Sequence, residues 1–345
     1  MSSPQWGPSA YAWPVPPQPQ RFPPPPPPRR RRSFFGTLVK LAFLVFAIMV
    51  TSSLLRGFLA GGTGPTQTER TDVPSNGQYA NEDYQAPPAD MNPPELPAPE
   101  TVSEAQALLT RNPVYGESVP VPTNCRMPAL DANTASEAQL ETHLNQLMGC
   151  LMAVWEGPVE AAGFEMPRPP VTVYDSPVRT ACGVMQEVNA AYCAGDQQIY
   201  YARPLLRAFP ADVRSTTYAA ETIIAHEFGH AVQARTAILI SDKALEQRVS
   251  KNEALVMSRR TETQADCFSA LYIRSVAQSQ NLDAGEIGDL EQLAYNIGDD
   301  VLSGNPAINE GHGLGRSRQA WFRAGLGSDA IAVCNTWTAP AGSVR

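Results

Sequence analysis

The sequence predicts an α+β domain, mostly helical with a small sheet, behind one N-terminal membrane span. Three observations support this. Of 33 prolines in 345 residues, 20 lie in residues 1–28 and 61–100, leaving 13 from Thr101 onward. Proline at that density bars helices and sheets, so those stretches read as extended chain and the remainder as one domain able to bury a core. Between the stretches lies an apolar run, Phe34 to Leu55, broken by the single charge of Lys40. From Thr101 onward, runs with apolar residues three and four apart dominate over short β-branched runs.

The expected organisation is a Pro-rich cytoplasmic tail over 1–33, a transmembrane helix over 34–56, a flexible Pro-rich stalk over 57–100 and an extracytoplasmic domain over 101–345. The apolar run matches the hydrocarbon thickness of a lipid bilayer, with Lys40 near enough to one end to snorkel. Arg21 and Arg29 to Arg32 precede it, and only Arg56 and Arg70 follow closely. The positive-inside rule then gives a single-pass protein of the cytoplasmic membrane with its N-terminus inside. A cleaved export signal competes with the anchor, because Arg31-Arg32-Ser33-Phe34-Phe35 resembles a twin-arginine signal and Leu59-Ala60-Gly61 a small-residue exit. Either reading exports the domain. Pro23 to Pro28 serve as a spacer or as a docking site for a partner of the tail. From Thr101 onward, 18 Lys and Arg face 27 Asp and Glu, a net charge of −9 without a basic stripe, which argues against nucleic acid as a partner.

All six cysteines fall in this domain, an even number suited to an oxidising compartment. Sequence order groups Cys125 with Cys150 and Cys182 with Cys193, leaving Cys267 with Cys334, one of 15 pairings that six cysteines allow. Leu140, Leu144, Leu147, Leu151 and Val154 predict an amphipathic helix over Ser136 to Trp155, with His143 at its surface. Val171 to Tyr174 and Gln198 to Tyr201 read as strands. Helices are expected over Ser215 to Arg235, Glu253 to Ala277, Asp283 to about Asp300, and Gly315 to Ala324. Asp283 and Glu286 form the capping box of the third.

The chemistry concentrates at His226-Glu227-Phe228-Gly229-His230. Residues four apart share a helix face, so both imidazoles can reach one zinc ion, while Glu227, rotated by about 100°, is free to act on the attacking water. Gly229 weakens a helix by up to about 1 kcal/mol relative to alanine, which points to a neighbour packed close. Two histidines leave the site one protein ligand short of a catalytic zinc centre. A third histidine in the extended motif is absent, since Gln233 and Thr236 stand at the relevant places. Glu262 and Asp266, four apart on a later helix, supply the remaining roles: Glu262 as third ligand and Asp266 as the acceptor that orients a ligating imidazole. His312 is assigned to stabilising the oxyanion, with capping of the turn before the last helix as its alternative.

These residues carry a resemblance to the bacterial family of neutral zinc metallopeptidases, over roughly Pro170 to Trp337. Ala181-Cys182-Gly183, Tyr192-Cys193, Asp196 and Ile199-Tyr200 resemble the family's cysteine loop and following strand. Ala225 to Gln233 resembles its active helix, Glu262 to Phe268 its Glu-x-x-Ala-Asp-Cys-Phe segment, and His312-Gly313, Arg318, Trp321-Phe322 and Gly325 its C-terminal stretch. Ala231 stands where a further histidine is common, and Asn335-Thr336-Trp337 replaces Asp-Thr-Phe. The resemblance implies a zincin-like fold, one zinc per domain and a peptide or protein substrate. By analogy with that fold, the substrate is expected along the sheet edge near Gln198 to Tyr201. The alternative is a non-catalytic exported zinc-binding module that interacts with envelope proteins. An intact Glu227 speaks against it, since metal binding alone requires no base there.

Overall fold

The computed structural model describes residues 79–345 apart from 186 and 187. The cytoplasmic tail, the span over 34–56 and the first part of the stalk lie outside the described residues. Among the described residues no helix is long and apolar enough to cross a membrane.

The helices are α1 (Val102–Thr110), α2 (Glu137–Ala161), α3 (Ala211–Arg214), α4 (Ala219–Arg235), α5 (Ile238–Glu246), α6 (Lys251–Gln280), α7 (Ala284–Asn296), α8 (Asp299–Ser303) and α9 (Gly315–Leu326). The strands are β1 (Val171–Tyr174), β2 (Val178–Thr180), β3 (Gly183–Met185), β4 (Ala190–Cys193) and β5 (Gln198–Ala202). Three strands form a sheet in the order β1-β5-β4, with β1 parallel and β4 antiparallel to the central β5, and β2 and β3 form a separate hairpin. The outcome is α+β, mostly helical with a small sheet.

Local chemistry explains the element starts. Ser136, Ser250 and Asp283 each close a capping box with the Gln or Glu three residues on, satisfying two orphan backbone donors at once. α4 is apolar around most of its circumference and buried along nearly its whole length, the pattern of a central helix. It lies between α2, α6 and the sheet. Trp155 of α2 meets Phe268 of α6 with ring centroids 5.0 Å apart, tilted by 55°. At Gly229 α4 comes close against α6. A Cβ there would lie 3.2 Å from both Cα and the carbonyl oxygen of Ala265. The three disulfides are Cys125–Cys150, Cys182–Cys193 and Cys267–Cys334, the pairing that sequence order favours.

Four expectations are corrected. His143 is buried, not superficial, and its Nε2 lies 2.6 Å from Glu221 Oε1 on α4. It sits three residues after Leu140, on the same inward stripe. The stretch over 79–100, read as part of a flexible stalk, is docked on the domain. Tyr84 donates to Glu156, Arg168 to the carbonyl of Pro87, and Gln197 and Arg235 to the carbonyl of Pro94. Proline removes donors from a chain but leaves its carbonyls free, and here the domain supplies the donors. The strand over 198–202 is central, so the edges of the sheet are β1 and β4, not Gln198–Tyr201. Finally, the helix expected from Asp283 to Asp300 breaks after Asn296 and resumes as α8. Gly298 stands at the break in an extended conformation, as the cap of α8, and a Cβ there would run into the backbone of Gly315.

That contact is backbone against backbone and cannot yield by a rotamer change. Gly298→Ala is expected to destabilise the domain by about 2–3 kcal/mol, read as a lower midpoint of denaturant unfolding with disulfides intact. An unchanged midpoint would refute the close approach.

Candidate metal centre

α4 and α6 lie side by side and bring three donors together. His226, His230 and Glu262 offer ligand atoms within 4.8 Å of one another. Glu262 Oε2 is 3.4 Å from His226 Nε2, and its Oε1 is 3.7 Å from His230 Nε2. A tetrahedral ion with bonds of about 2.0–2.2 Å spaces its donors about 3.3–3.6 Å apart, so the set fits zinc. The imidazole rings stand at 90° with centroids 4.8 Å apart. All three side chains keep 11–18% of their surface exposed, facing a cleft.

Each imidazole turns Nε2 to the centre because its Nδ1 is held from behind. His226 Nδ1 donates to Asp266 Oδ1 at 2.9 Å. Asp266 in turn accepts two bonds from Arg318, Nε to Oδ2 at 2.9 Å and a terminal nitrogen to Oδ1 at 2.8 Å. The pair is buried to within 5% of full enclosure. Burial alone would raise the Asp266 pKa, but the Arg318 guanidinium and then His226 hold it below the ordinary carboxylate value. Burial likewise works against a proton on His226, yet Asp266 and Glu262 outweigh it and push its pKa up to about 10 in the metal-free chain. Glu262, buried too, is kept far below the usual range by His230 and His226. The donors are therefore an anionic carboxylate and two oriented imidazoles.

His230 has a neutral counterpart. Its Nδ1 donates to Gln233 Oε1 at 2.8 Å, and the Gln233 amide nitrogen donates to the carbonyl of Thr261 and to Gln264 Oε1. Gln233 stands where the extended motif would carry its glycine, and from the sequence it reads only as a departure from that motif. Its spacing three after His230 is the signal that would have found it. Arg318 had no assigned role in the sequence, because nothing in spacing ties residue 318 to residue 266.

Glu227 is 8% exposed, and its Oε2 accepts from the backbone N–H of Tyr192 at 2.9 Å. This bond fastens the carboxylate to the outer side of β4. His312 is brought to the same cleft of about 760 Å³. Asp299 Oδ1 lies 3.2 Å from its Nδ1, while Asp299 Oδ2 accepts the backbone N–H groups of His312 and Gly313. The hydrogen bond to Asp299, followed by the charge of Glu262, raises the His312 pKa above its ordinary value. His312 therefore both anchors the turn before α9 and lines the cleft.

A family model described as “Putative neutral zinc metallopeptidase” matches residues 113–337. The chain belongs to this family. Zinc is the metal that membership implies, and the donor set agrees with it. The chain is 30% identical over 194 residues to “Uncharacterized protein YpfJ” of Escherichia coli K12, covering 53% of this chain and 66% of that protein. It is 28% identical over 191 residues to “Uncharacterized protein Rv2575” of Mycobacterium tuberculosis H37Rv, covering 50% of this chain and 63% of that one. The matched region thus spans just under two thirds of each relative. No solved structure matches significantly.

Asp266→Asn and Gln233→Ala each remove a partner that orients a ligand. Both are expected to weaken zinc affinity about 10–100-fold, measured by competition with a chromogenic chelator. Affinity unchanged in both variants would show that the imidazoles need no such support.

Proposed function

We propose that the chain is a membrane-anchored zinc-dependent peptidase that hydrolyses peptide bonds of proteins or peptides outside the cytoplasmic membrane. One observation carries the catalytic part. Glu227 stands beside a three-donor site open to a cleft, whereas structural zinc is enclosed by four protein ligands. His226, His230 and Glu262 are the ligands in this reading, with one zinc per domain. Zinc, when bound, supplies a Lewis acid that acidifies water and polarises a carbonyl. Glu227 removes the proton of the attacking water and passes it to the leaving amine. Tyr192 N–H holds Oε2 of that carboxylate and leaves Oε1 for the proton. His312, raised in pKa and held by Asp299, donates to the oxygen that gains negative charge. Arg318 and Asp266 keep His226 aimed and touch no reacting atom.

The export part rests on the arginine cluster before the apolar run over 34–56 and on six cysteines, all in the domain that follows. A reporter enzyme fused after Arg345 should be active only when it functions outside the cytoplasm. Activity of a cytoplasm-restricted reporter would overturn this topology. The Pro-rich tail is left to a spacer or to a partner within the cytoplasm.

Glu227→Gln keeps volume and removes no ligand. It is expected to retain one zinc while losing at least about 100-fold in turnover on peptide libraries. If neither it nor the wild-type protein cleaves anything while both hold zinc, the site is a binding module for envelope proteins.

A further inference from the structure

Residues 79–100 precede the region matched by the family model, which begins at residue 113, yet they reach the end of the metal helix. Their contacts run in order along the domain. Ala80 N–H donates to the carbonyl of Pro122, Tyr84 to Glu156, and Asp90 N–H to the carbonyl of Arg168, shortly before β1. Pro94 then offers its carbonyl to two donors, Gln197 Nε2 at 2.8 Å and Arg235 at 2.9 Å. Gln197 ends the turn that joins β4 to β5, and Arg235 is the last residue of α4. One carbonyl therefore ties the sheet to the helix that carries His226, Glu227 and His230.

Arg235 is only 4% exposed, and a guanidinium so enclosed needs acceptors around it. It takes the carbonyls of Glu165, Pro94 and Glu95 and the amide oxygen of Gln197. Burial lowers its pKa, and Tyr192, Glu165 and Asp90 act against that shift. Asp90, Pro94 and Glu95 all belong to the N-terminal segment. Proline suits that segment, because a fixed φ restricts the free chain and less freedom is lost on docking.

The same place is occupied by Tyr192. Together with Gln197, Ala231 and Arg235 it surrounds, with Asp90 and Pro93, a gap of only about 10 Å³. Burial raises the pKa of the Tyr192 phenol, and Arg235 is near enough to act against it. Tyr192 is also the residue whose backbone N–H donates to Glu227 Oε2. The segment thus backs the residue that holds the general base.

We propose that residues 87–95 are a positioning strap for Glu227, with Gln197 and Arg235 as the positioning residues through which it acts. Docked, the strap fixes the turn between β4 and β5 against the end of α4 and keeps Tyr192 N–H on the carboxylate. Undocked, it deprives Arg235 of two carbonyls, the turn gains freedom, and the bond to Glu227 opens more often. The ligating imidazoles are held from elsewhere, by Asp266 and Gln233, so zinc binding does not depend on the strap. The consequence for turnover rests on the peptidase reading above; the coupling of strap to Glu227 does not.

Two full-length, zinc-loaded variants test it. The first replaces residues 87–95 by an equal run of Gly and Ser, which changes exposed or half-buried positions and leaves the core intact. The second is Gln197→Asn, which keeps a residue type tolerant of the left-handed backbone (φ 55°) and shortens the amide so that it falls short of Pro94. Hydrogen exchange of the Tyr192 amide needs no turnover and reports how often its bond to Glu227 opens. Both variants are expected to speed that exchange at least about 10-fold while still holding zinc. In peptide cleavage kcat should fall severalfold with KM unchanged, because the strap touches no substrate. Wild-type exchange at Tyr192 in both variants would overturn the strap. So would loss of zinc, which would make the segment a general brace, or an unchanged kcat in a protein that cleaves peptides. Faster exchange in the variants, with no peptide cleaved even by the wild-type protein, would uphold the strap and sink the peptidase reading.

Discussion

A carboxylate enclosed as fully as Asp266 cannot stay charged without partners, because desolvating a lone ion costs several kcal/mol. Arg318 supplies two charge-assisted bonds and His226 one, and with them the charge is held in place. Much of the architecture follows from making that meeting possible. α6 must lie close enough to α4 for Asp266 to reach His226, which Gly229 permits against Ala265. α9 must press on α6 so that a guanidinium from residue 318 can enter. The break at Gly298 brings the carbonyl of Ile297 to the same arginine and sets Asp299 where it can hold the His312 turn. Removing Arg318 would leave a buried uncompensated anion, a change of about 3–5 kcal/mol in related cases, so metal site and helix packing share one fate.

The two ligating histidines are supported by unlike chemistry. His226 leans on an ion pair, whereas His230 leans on an amide chain that continues through Gln264 to the hydroxyl of Tyr115 and the carbonyl of Cys334. A single anion behind the site raises the basicity of one imidazole, while a second would add charge to a pocket that already holds Glu262 and Glu227. A neutral amide fixes the second ring without that cost. The disulfide between Cys267 and Cys334 fastens the same two regions covalently, so the amide chain and the bridge brace one corner of the site.

The parts legible in sequence were those governed by helical periodicity. The pair at 226 and 230 and the pair at 262 and 266 each announce a shared face, and the structure sets them opposite one another. Core helices were legible to within a few residues for the same reason. What escaped depended on contacts without a periodic signature. Arg318 lies 52 residues from its partner. Strand β4 is four residues long, too short to announce that it flanks β5 and leaves β5 central. The docking of residues 79–100 was hidden because proline content reports what a chain cannot form internally and says nothing of carbonyls that another surface can engage. His143 lies three residues after Leu140 on the inward stripe, so its position rather than its residue type reports its burial.

The distribution of these parts along the chain bears on the timing of maturation. The ligands at 226, 230 and 262 are synthesised well before the guanidinium at 318 and the sulfur at 334. A nascent chain carrying all three donors still lacks the arginine that makes Asp266 tenable, the turn that carries His312 and the last bridge. Competence therefore arrives only when the final tenth of the polypeptide has been made and folded back onto α6. A metal centre built in this order is not complete until the last helix of the chain is in place.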